Sequence, residues 1–132
     1  MHDSGWTGLA IDSARLVLTD GRCAAELAAE PGGTDVAVFD RLLTVPASPG
    51  AALAFAVAPS ASSAWHTQAA AWLSALGFAP LRVADSPGLV VARTVAMLIN
   101  EAADAVQQGV CTPDGADAAM KLGVNYPAGP FE

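Results

Sequence analysis

The hydrophobic pattern of this chain changes period at Asp85-Ser86-Pro87-Gly88, and the change fixes what each half can become. Upstream, short apolar runs alternate with alanine- and leucine-rich stretches. Residues 14–19 (ARLVLT), 35–39 (DVAVF), 51–58 (AALAFAVA) and 81–84 (LRVA) have the length and composition of strands with both faces covered. Residues 22–30 favour helix and are stopped by Pro31-Gly32-Gly33. The serines of residues 60–63 are cap candidates for a helix bearing Trp65, Ala69, Trp72 and Leu76 on one stripe, which Gly77 closes. Strands alternating with helices predict parallel βαβ units, so residues 1–86 read as a small α/β layer built on a parallel sheet.

Downstream, residues 87–132 read as helical throughout. Between residues 89 and 108 there is no turn signal, and Arg93, Asn100, Glu101, Asp104, Gln107 and Gln108 share about a third of the helix circumference. Glu101 and Asp104 are read with Arg93 as a solvated stripe carrying an intrahelical ion pair, not as a catalytic carboxylate pair. Val91, Val95, Leu98, Ala102 and Val106 then form apolar faces that a short chain has few elements to cover, and these five are the candidate interface residues. A second helix carries its own punctuation: Thr112 as cap, Pro113 first, Asp114 in the first turn, Lys121 in the last, Gly123 after the end. Asn125-Tyr126-Pro127-Ala128-Gly129-Pro130 reads as a rigid turn.

A chain that is 53% hydrophobic and 14% charged is not disordered. Six basic residues, scattered singly among thirteen acidic ones for a net charge of -7, leave no footprint for nucleic acid and disfavour anionic lipid. No apolar run approaches the roughly 18 residues that span a bilayer. Residues 1–8 lack a signal-peptide pattern, so the expected location is cytoplasmic. Cys23 and Cys111 stand far apart with no ligand spacing, so no metal site is expected.

Three strings carry a resemblance: DSPGLVVAR at residues 85–93, NEAADAVQQGV at 100–110, and AAMKLGVNYPAGPFE at 118–132. In order and spacing they resemble the opening of the C-terminal helical domain of 3-hydroxyacyl-CoA dehydrogenases. Residues 1–86 resemble, more weakly, the reduced Rossmann-like domain that precedes a second helical domain in long 3-hydroxybutyryl-CoA dehydrogenases. The resemblance implies an α/β fold with a small reduced Rossmann-like sheet, followed by an all-α segment of the 6-phosphogluconate-dehydrogenase C-terminal-like type. It also implies kinship to oxidoreductases that use NAD to convert 3-hydroxyacyl-CoA to 3-oxoacyl-CoA in fatty-acid or aromatic-acid degradation.

Residue by residue, the implied machinery is missing. NAD needs a glycine-rich turn after the first strand, and Thr19-Asp20-Gly21-Arg22-Cys23 keeps one glycine and places an acid there. The family's catalytic histidine falls in the region of residues 54–59, AFAVAP, which holds no titratable side chain, and its helix asparagine falls at Ala92. His66, near a helix start, and His2, at the terminus, are poorly placed substitutes. No catalytic, cofactor-binding or metal residue is therefore assigned. The expected role is packing: dimerisation and cleft closure by the C-terminal part of a dehydrogenase, with another copy or the catalytic portion as partner. The alternative is an acyl-CoA-binding module without its own base, although no Lys or Arg cluster awaits the CoA phosphates.

Overall fold

The computed structural model describes residues 7–42 and 48–132, which fall into two compact units, Met1–Ala92 and Arg93–Glu132. The first is a five-stranded sheet, in the order β1 (Gly8–Ile11), β2 (Ala14–Leu18), β3 (Val36–Phe39), β4 (Ala52–Val57), β5 (Ala79–Arg82), with α1 (Ala24–Ala28) and α2 (Ser63–Ala75) as its helices. The sheet is mixed, which corrects the expectation of an all-parallel one. β2 and β3, joined through α1, are parallel, as are β4 and β5, joined through α2. β1 with β2 and β3 with β4 run antiparallel. Alternation of strand and helix predicts direction only where a helix makes the crossover; antiparallel neighbours need none. Asp12, at φ 54, makes the tight β1–β2 turn in the left-handed conformation such hairpins require. β1 itself, four exposed residues, has too little pattern to be announced by the sequence.

Alternation along the strands builds two cores. Val17, Val36, Val38 and Ala56 point to the layer containing Ala24 and Leu27 of α1, while Leu16, Ala37, Leu53 and Phe55 point to Trp65, Ala69 and Leu73 of α2. The buried stripe of α2 therefore runs through Leu73. Trp72 is half-buried, edge-on to Trp65 with ring centroids 4.7 Å apart, and Leu76 is 52% exposed. The helix ends as expected: Gly77 takes φ 90, its N–H donates to Ser74 O at 3.0 Å and the Phe78 N–H to Leu73 O at 3.1 Å, a Schellman closure. At the start of α2, Ser62 Oγ accepts from Trp65 N–H, while Asp35 accepts from both the Ser62 amide and hydroxyl at 2.6 and 2.9 Å.

The helices downstream are α3 (Val91–Gln107) and α4 (Pro113–Gly123). Thr112 Oγ1 accepts from Gly115 N–H at 3.1 Å, so α4 starts where its punctuation predicts; it runs through Gly123 instead of stopping before it, with Val124 as its C-cap and Asn125 taking the left-handed φ of 57. After it, Asp117 accepts from Phe131 N–H at 2.9 Å, and Lys121 pairs with Glu132. The segment 125–131 is thus bound back to α4.

Candidate functional site

In a dinucleotide-binding sheet the diphosphate sits where the first parallel strand turns into its helix. Here that place is the turn from Leu18 to Ala24. Thr19 is buried, its Oγ1 accepting from Gly21 N–H. The amides of Ala24 and Ala25 donate to the two oxygens of Asp85 at 2.7 and 2.8 Å, and the Cys23 amide donates to Glu26 at 2.8 Å. Arg22 is held by Asp20 and Glu30 at 2.6 and 2.5 Å. These bonds hold the Asp20 carboxyl below its usual range, chiefly through the Arg22 hydrogen bond, and Glu26 below its own through the Cys23 amide. The Arg22, Cys23, Ala24 and Ala25 amides already face carboxylates of the same chain, so the residues do not fit a diphosphate.

A second carboxylate lies at the same, C-terminal end of the parallel pair β2 and β3. Asp40, 1% exposed at the end of β3, accepts four backbone N–H groups: Val90 and Val91 on one oxygen at 2.9 and 2.6 Å, Arg41 and Ala92 on the other at 2.8 and 3.0 Å. It is the cap of α3. Sequence reasoning passed over both Asp40 and Asp85. The available signal was a deficit: no Ser, Thr, Asp or Asn stands at the cap position of either helix, so a distant acid had to serve.

The positions matching the family's catalytic histidine stay empty of titratable groups, with Ala56 and Ala58 fully buried. His66 is engaged by the Arg82 guanidinium, 2.6 Å from its Nδ1, and no carboxylate among the described residues orients it. His2 lies outside the described residues. No group of three or more His, Cys, Asp or Glu is placed to hold a metal among the described residues. On α3, Arg93, Asn100, Glu101, Asp104, Gln107 and Gln108 are all exposed, and Val91, Val95, Leu98, Ala102 and Val106 are all half-buried. The expected Arg93 ion pair is not formed among the described residues; Gln108 instead donates to Asp104 at 2.6 Å, a partner one turn away. No helix is long and apolar enough to cross a membrane among the described residues.

A reduced Rossmann-like α/β unit followed by helices, with its nucleotide turn closed by its own acids, defines the class. The family model for the 3-hydroxybutyryl-CoA dehydrogenase reduced Rossmann-fold domain matches residues 16–87, and that for the 3-hydroxyacyl-CoA dehydrogenase C-terminal domain matches residues 88–132. The chain belongs to the 3-hydroxyacyl-CoA dehydrogenase family. It is 42% identical over 124 residues to the 3-hydroxyadipyl-CoA dehydrogenase of Escherichia coli, covering 92% of this chain and 24% of that protein. The crystal structure of 3-hydroxybutyryl-CoA dehydrogenase from Escherichia coli superposes with TM-score 0.77 and 38% identity over 99% of this chain and 26% of that one. That of (S)-3-hydroxybutyryl-CoA dehydrogenase from Ralstonia eutropha gives 0.68 and 30%, over 87% of this chain and 40% of that one. The chain thus spans about a quarter of its first relatives.

Proposed function

We propose that this chain is a non-catalytic, interface-forming C-terminal part of a cytoplasmic NAD-dependent 3-hydroxyacyl-CoA dehydrogenase, of the kind that oxidises 3-hydroxyacyl-CoA to 3-oxoacyl-CoA. The observation that carries it is the α1 N-terminus, whose Ala24 and Ala25 amides are taken by Asp85, leaving neither for a cofactor diphosphate. The lack of a titratable group in residues 54–59 points the same way. In this reading Val91, Val95, Leu98, Ala102 and Val106 pack against a second copy or the catalytic portion, which covers apolar surface this chain leaves half open. Calorimetry with NAD and then acetoacetyl-CoA, beside light scattering for mass, tests it. No heat with either ligand and a mass above one chain is the expected result. Saturable NAD binding overturns the closed turn; a strictly monomeric chain overturns packing against a second copy.

A further inference from the structure

Among the described residues of the first unit, two depressions bear on ligand binding. One, of about 260 Å³, lies between β1 and α2 against Leu9, Ile11, Trp72 and Leu76, and has no charged side chain in its lining among the described residues. The other, of about 280 Å³, lies at the C-terminal ends of the parallel pair β2 and β3, where Leu18 and Phe39 are partners in register. Open α/β sheets take their ligands outside the carboxyl ends of the strands. Leu53 forms a buried part of its wall, and Leu18, Phe39, Leu42 and Phe78 leave apolar surface half exposed to it.

Its two charged residues have different duties. Asp40 already accepts four N–H groups, including those of the first turn of the 17-residue helix α3, so its charge is offset in place. Arg41 is exposed, and its guanidinium has no hydrogen-bond or ion-pair partner among the described residues. An apolar recess with one uncommitted guanidinium at its rim matches an aliphatic tail ending in an anion.

We propose that this depression binds a short- to medium-chain aliphatic carboxylate, its tail against Leu18, Phe39 and Phe78 and its carboxylate on Arg41. The site lies within the first unit and stands or falls independently of the packing role. The test is titration of the full chain with octanoate and with octan-1-ol, read by amide NMR shifts, on the native protein and on Arg41→Gln. Saturable shifts are expected at Leu18, Phe39, Leu42 and Leu53, with octanoate bound about tenfold more tightly than octanol. Arg41→Gln should erase that preference and keep the octanol shifts, which also shows the variant folded. No saturable shift at these amides, equal affinity for acid and alcohol, or a preference surviving Arg41→Gln overturns the proposal.

Discussion

Asp40 and Val91 are joined by a 2.6 Å hydrogen bond, amide to carboxylate, across 51 positions of the chain. The bond ties the end of a central strand to the first turn of α3. The approach to that turn is unusual: Gly88 and Leu89 both take positive φ, 71 and 49, the leucine being held there by burial in the first core. That bend delivers the amides of Val90, Val91 and Ala92 to one carboxylate.

Asp40→Ala should strand these donors in a dry site and lower the unfolding free energy by about 2–4 kcal/mol. Asp40→Asn keeps one acceptor oxygen and should lose less. Urea unfolding measures both, and a loss under about 0.5 kcal/mol for the alanine variant would refute the role.

Gly129 sits against α4 so closely that an added Cβ would lie 2.3 Å from an Asp117 carboxylate oxygen. Gly129→Ala must therefore displace Asp117 and break its 2.9 Å bond to the Phe131 amide. We expect a local loss of about 1–3 kcal/mol. Hydrogen exchange at Phe131 should quicken at least about tenfold, and an unchanged rate would show that the contact yields without cost.

Leu98→Asp and Val95→Asp place a charge on the half-buried face of α3. If that face packs on a partner, either variant should lower the mass in solution or drive aggregation, because an unpaired carboxylate cannot be buried cheaply. Native size and solubility in both would argue against the packing role.

What the sequence made legible was local. Thr112 with Pro113 marks the start of α4, and Gly77 the end of α2, because caps act within a turn of their own helix. The two faces of α3 also sort by exposure as their periodicity implies, since 3.6 residues per turn needs no knowledge of neighbours. Strand direction was illegible, because β3 and β4 pair antiparallel through a link whose composition resembles any other. The same holds for Asp85 and Asp40, whose partners lie about 50 to 60 residues away and can be found only once the sheet brings them together. The closed nucleotide turn was half legible: the missing glycines were visible between Thr19 and Cys23, the carboxylate that replaces the phosphate was not.

Three carboxylates are held below their ordinary range: Asp20 chiefly by the Arg22 side chain, Glu26 by the Cys23 amide, and Glu132 by the Gly129 amide and then Lys121. A depressed carboxyl contributes stability that is fully present above its unfolded value and is lost as pH falls through its folded one. The direction is therefore acid lability, setting in below about pH 4. Urea midpoints measured from about pH 7 down to pH 3 should hold and then fall. All three groups are solvent-exposed, so the fall should be gentler in high salt. In the triple variant Asp20→Asn, Glu26→Gln, Glu132→Gln the acid limb should flatten while the midpoint near neutrality drops, because the same contacts are then missing at every pH. A midpoint that rises on acidification, or an acid limb unchanged in the triple variant, would assign the pH dependence to other groups.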